Sequence, residues 1–125
     1  MKINVILYVA DQTKSRGFYA AVLGQEPRLD VPGMTEFELE PGCVLGLMPE
    51  NGIKRLLPSM PDPSAGRGSP RVEVYLTVPD PAACHARALA AGARELSPLE
   101  PRGWGDKAAY SLDLNGHVLA FAAPL

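Results

Sequence analysis

An eight-residue stretch is written twice in this chain. NVILYVAD, from Asn4 to Asp11, returns as EVYLTVPD from Glu73 to Asp80, 69 positions later. In each copy three apolar residues, Val5, Leu7 and Val9 or Val74, Leu76 and Val78, alternate with residues of mixed polarity. Strict alternation predicts a strand with one buried face. Each copy ends on an aspartate suited to cap a helix just after it, because a short carboxylate accepts from the free amides of a first turn. Pro81, directly after Asp80, is a favoured first helical residue.

The segments downstream of the two copies are also parallel. Residues 12–23 carry Phe18, Tyr19, Val22 and Leu23 at helical spacing, and Gly24 can take the left-handed conformation that ends a helix. Gln25 to Asp30 reads as a short strand, Val31 to Gly33 as a turn, and MTEFELE (34–40) and CVLGLMP (43–49) as two further strands. Residues 50–70, broken by Pro58, Pro61, Pro63, Pro70, Gly66 and Gly68, predict a linker with at most a helical turn around Ile53 to Leu57. After the second copy, PAACHARALAAG gives an alanine-rich helix ended by Gly92. Ala93 to Leu96 and Lys107 to Asp113 read as strands, Asn115–Gly116 as a turn, and HVLAFA as a last strand echoing CVLGLM. The fold expected is therefore α+β, one domain of two tandem βαβββ modules, residues 1–49 and 71–125, joined by a linker over 50–70.

At 125 residues the chain has enough length for one ordinary core. Its net charge of −2 is spread without a basic stripe, so neither nucleic acid nor a membrane surface is an expected partner. The opening residues lack the long apolar run of a leader or a span. Two cysteines, Cys43 and Cys84, are too few for a disulfide framework and are expected reduced and buried, in a cytoplasmic protein.

VADQTKSRGFYAAVLG resembles the V-x-D-x-x-x-S-x-x-F-Y-x-x-V-L-G opening of the vicinal oxygen chelate superfamily, the group of glyoxalase I, the extradiol dioxygenases and the bleomycin- and fosfomycin-resistance proteins. DLNGHVLAF is similar to the family's D-P-x-G-x-x-x-x-F closing strand. The resemblance covers nearly the whole chain. It implies that each module curls into half a cup, that the two form a partly closed curved-sheet barrel with helices outside, that a ligand or metal sits inside, and that the protein is a homodimer. It also implies metal ligands at Asn4, Gly46, Glu73 and Ala120. Only Glu73 offers a strong donor there, whereas zinc-, nickel- or iron-type ions want three or more imidazole, thiolate or carboxylate ligands. No metal and no cofactor is therefore expected.

Other residues offer little towards a replacement. His85 on the second helix and His117 at the start of the last strand read as surface or helix-packing histidines. Glu36 and Glu38 could join Glu73 around a hard cation, or could simply be solvated. Alternation instead places Asn4, Ile6 and Tyr8, and Glu73, Tyr75 and Thr77, on the face opposite the helix-packing residues, with Val44, Gly46, Met48, Val118 and Ala120 beside them. That lining, with aromatics and a soft methionine, suits a small-molecule pocket, although Tyr8, Tyr75 and Met48 could equally be core filling. RGWGDKAAYSLD is similar to the W-G-x-x-x-x-x-x-x-D pattern of the bleomycin-resistance type. It puts Trp104 between two glycines, where its indole could cap a cavity mouth and stack on a flat or cationic guest, or pack under its loop.

The expected function is metal-independent binding of a small molecule, Asn4, Ile6, Tyr8, Glu36, Glu38, Gly46, Met48, Glu73, Tyr75, Thr77 and Trp104 being the candidate contacts. The alternative is an enzyme of the same superfamily, a lyase, isomerase or dioxygenase. It would use an atypical metal site or Glu73 as an acid/base group whose pKa an apolar cup raises.

Overall fold

The computed structural model describes residues 1–125. The element order is β1 (Ile3–Val9), α1 (Gln12–Leu23), β2 (Leu29–Val31), β3 (Met34–Glu40), β4 (Cys43–Pro49), α2 (Glu50–Leu56), a 3-10 turn (Pro63–Gly66), β5 (Glu73–Thr77), α3 (Pro81–Ala90), β6 (Arg94–Pro101), β7 (Asp106–Leu112) and β8 (Val118–Pro124). The fold is α+β with two βαβββ modules. One sheet has the order β1-β4-β3-β2 and the other β5-β8-β7-β6, each with one parallel pair at the repeated strand. The chain divides into two compact units, residues 1–20 with 24–67, and residues 21–23 with 68–125.

The caps behave as their chemistry requires. Asp11 accepts from the Lys14 amide and Asp80 from the Ala83 amide. Gly24 ends α1 at φ 66°, a conformation that would strain a side-chain-bearing residue. Asp113 organises the DLNGH turn: one carboxylate oxygen accepts from the Asn115 and His117 amides, and the other bonds His117 Nδ1 at 2.9 Å. That half-buried His117 is a turn residue.

In the first unit, Leu7, Val9, Thr35, Phe37, Leu45 and Leu47 share one face of the sheet and are each at most 2% exposed. Phe18 and Tyr19 of α1 are buried with them, their rings edge to face at 5.0 Å. Gln12 ties the helix to the β2–β3 hairpin by donating to the Val31 carbonyl and Thr35 Oγ and accepting from the Gly33 amide. In the second unit the alanine-rich α3 runs against β6, β7 and β8, its Ala88 fully buried and the sheet contributing Ala109, Leu119 and Phe121. Small side chains on the helix permit that close approach.

Several expectations need correction. Val5 lies on the helix-packing face yet is 42% exposed, because it falls in the uncovered first part of β1, ahead of the buried Leu7 and Val9. Cys43 and Cys84 are free but half-buried rather than buried. The segment after residue 49 is not only linker: it contains α2, whose Ile53 is buried and whose buried Glu50 pairs with Arg67. β6 extends through Pro98 to Pro101, and β7 starts at Asp106. An edge strand with irregular register tolerates prolines because their missing amides face no ladder partner. His85 is buried in the second unit, with Nε2 at 2.9 Å from Glu95 and no partner at Nδ1.

Candidate functional site

Each sheet has a face turned away from its helix, and these faces carry the predicted site residues. In the first unit, register places Ile6, Gly46 and Glu36 on one rung and Asn4, Val44 and Glu38 on the next. Gly46 has no free space above it: a Cβ there would meet Ile6 Cγ1 at 3.1 Å and Met34 Sδ at 3.3 Å. Asn4 Nδ2 donates to Glu36 over 3.4 Å. Arg28 joins both carboxylates, Nε donating to Glu36 and Nη1 to Glu38, each at 3.1 Å. The two glutamates are thus neither simply solvated nor open to a cation; a guanidinium already sits between them. Tyr8 is half-buried and level with Met48. The Met48 methyl lies 3.7 Å from where a Gly52 Cβ would stand, which makes it packing for α2.

The second unit presents a different surface. Register places Tyr75, Ala120 and Tyr110 on one rung, so two phenol rings flank a fully buried alanine. Alternation along β7 puts Asp106 on the same face as Tyr110. The Tyr75 hydroxyl donates to Asp106 Oδ2 at 2.6 Å and accepts from Trp104 Nε1 at 3.0 Å. That donated hydrogen bond is the main reason the Tyr75 phenol holds its proton above the ordinary tyrosine range; the indole's donation works in the opposite direction. The Tyr110 phenol is also pushed up, by burial first and then by the Glu73 charge, with Arg102 opposing. The Arg102 guanidinium lies 5.1 Å from the Tyr110 ring centre, while its nitrogens donate to the Ala108 carbonyl and to Ser97. Trp104 remains 59% exposed. Thr77 and Glu73 are exposed at the two ends of edge strand β5. Glu73 therefore lacks the apolar burial on which an acid/base role would rest.

The positions at which the resemblance places metal ligands do not fit a metal. Gly46 and Ala120 carry no donor atom, and their surroundings are filled by Ile6 and Met34 in one case and flanked by Tyr75 and Tyr110 in the other. No group of three or more His, Cys, Asp or Glu side chains converges at metal-binding spacing.

The sequence model of the glyoxalase/bleomycin resistance protein/dioxygenase superfamily matches residues 2–121. The chain belongs to that superfamily. Solved superfamily-like structures agree in fold. A glyoxalase-related enzyme from Fulvimarina pelagi is 22% identical with a TM-score of 0.85, over 98% of this chain and 87% of that one. A glyoxalase/bleomycin resistance protein/dioxygenase family enzyme from Burkholderia phytofirmans PsJN is 16% identical with a TM-score of 0.81, over 98% and 97%. A glyoxalase/bleomycin resistance protein from Catenulispora acidiphila is 20% identical with a TM-score of 0.69, over 100% and 99%. No curated protein matches the chain.

Within this superfamily member, three site residues escaped the sequence reading. Asp106 and Tyr110 follow from the period-two pattern of β7 once the strand starts at Asp106. Arg28, the partner of the two predicted glutamates, had no such signal, since a residue just before a three-residue strand has no periodic neighbours.

Proposed function

We propose that this protein binds a small planar organic molecule without a metal, against the open face of its second sheet. The observation that carries the reading is Trp104: an indole left 59% exposed while its N–H is held by Tyr75. An exposed flat ring with its polar edge already satisfied presents an apolar plane to a guest. Half-buried Tyr110, beside the fully buried Ala120, extends that surface, and Asp106 and Glu73 supply hydrogen-bond acceptors at its margin. In this reading the small residues at Gly46 and Ala120 have replaced cation-holding corners with packing.

The test is equilibrium binding of a library of planar aromatic fragments to chelator-treated protein, read by calorimetry, which works equally on a variant without the single tryptophan. The expected result is saturable binding that Trp104→Leu weakens by roughly tenfold, the upper range for loss of one stacking partner. Binding that needs an added divalent metal, or that the variant leaves unchanged, contradicts the reading.

A further inference from the structure

We infer that Tyr75 and Asp106 form a positioning pair that holds the Trp104 indole in place over the second sheet before any guest arrives. The purpose rests on the binding reading above, but the geometry belongs to the unliganded chain.

Trp104 occupies the tip between β6 and β7, flanked by Gly103 and Gly105, and a Cβ added at either glycine meets no heavy atom within 4 Å. Gly105 has φ 94°, a turn conformation that glycine adopts without strain. The two flanking glycines therefore add no side-chain packing of their own to the tip. Its base is fixed: Arg102 donates to the Ala108 and Pro98 carbonyls and to Ser97, and the Leu125 amide donates to the Gly105 carbonyl at 3.0 Å.

What remains is rotation of the indole about its own side-chain torsions, and its N–H bond to Tyr75 limits that rotation. The bond is long in topology. Tyr75 sits on β5, at the opposite edge of the sheet from β6, so a strand at one edge catches a ring carried by the hairpin at the other. Asp106 completes the catch without touching the indole. By taking the Tyr75 proton in a 2.6 Å hydrogen bond, it fixes the hydroxyl rotor so that a lone pair faces the indole N–H. A hydroxyl free to rotate could turn its own hydrogen toward the indole or toward water, and the acceptor would then be lost for part of the time. A ring placed in advance spares the guest the cost of ordering it.

Because the chain has one tryptophan, its emission and its indole N–H resonance report this ring alone. The measurements are made on ligand-free protein, with acrylamide as the quencher. Tyr75→Phe keeps the ring and removes the hydroxyl. Expected are lower emission anisotropy, stronger acrylamide quenching and indole N–H exchange faster by about fivefold, the factor carried by one net hydrogen bond. Asp106→Asn should give the same changes to a smaller extent, because its amide oxygen still accepts, and Asp106→Leu should match Tyr75→Phe. A merely structural role would lower the thermal midpoint of these variants and leave the indole's motion and exchange in the folded protein as they are in the parent. That result, or a Tyr75→Phe protein with parental anisotropy and exchange, overturns the inference. Neither outcome depends on a guest, so a failure here is distinguishable from a failure of the fragment screen.

Discussion

Gly46 in the first sheet is flanked on its rung by Ile6 and Glu36, whereas Ala120, its counterpart in the second, is flanked by Tyr75 and Tyr110. The same βαβββ plan has thus been finished in two ways. The first module closes its charges internally, Arg28 joining Glu36 and Glu38 while Met34 and Ile6 crowd the glycine. The second module leaves Glu73 and Asp106 without a cationic partner, lines its face with phenols and exposes an indole. The difference teaches that a duplicated scaffold need not duplicate its site. One face has closed its charges within itself, and the other keeps an exposed indole beside its phenols.

Restoring a carboxylate at the two small positions would break that comparison most severely. Ala120→Glu places a charge at a fully buried point between two phenols, and it should cost about 3–5 kcal/mol in urea denaturation. Gly46→Glu must displace Ile6 and Met34, whose nearest atoms belong to flexible side chains, so about 1–3 kcal/mol is expected. Equal costs, or a gain in stability on adding zinc or nickel, would show that the corners are not filled as described.

Removing the charge closure of the first module should have a smaller effect. A double-mutant cycle between Arg28→Ala and Glu36→Gln is expected to give a coupling of about 0.5–1 kcal/mol, modest because the Arg28 side chain is 43% exposed although that of Glu36 is only 14% exposed. In the second module Glu73→Gln, which breaks no ion pair, should leave the denaturation midpoint where it was. A matching coupling around Glu73 would remove the contrast between the faces.

The smallest effect is a pH signature confined to the second module. Because donation to Asp106 raises the Tyr75 pKa, the stability it contributes is fully present below the ordinary tyrosine range. It is lost as pH rises through the elevated folded value. Phenolate absorbance should show two late-titrating tyrosines, Tyr75 and Tyr110, of which Tyr75→Phe removes one. The Trp104 indole resonance should move over that same pH range in the parent protein, since an ionised Tyr75 can no longer donate to Asp106.

Much of the fold was legible because its signals are local and periodic. The strands at 34–40 and 43–49, the helix at 12–23 and both aspartate caps follow from alternation, helical spacing and capping chemistry. The prolines of β6 misled for the opposite reason, since an edge strand tolerates residues that a central one would not, while α2 ends before the first of the later prolines, Pro58. At the site, alternation sorted Ile6, Gly46, Tyr75 and Ala120 onto the open faces. It could not show that Arg28 would reach Glu36 and Glu38, or that Trp104 would bond Tyr75, because both contacts depend on where loop-borne side chains end up in three dimensions.

The most direct test of the central claim, that packing side chains have taken over the cation-holding corners, is elemental analysis of protein purified without chelator, with Glu73→Ala purified alongside. Far less than one transition metal per chain is predicted in both preparations. One equivalent of nickel, zinc, iron or manganese in the parent, lost from Glu73→Ala, would contradict the claim.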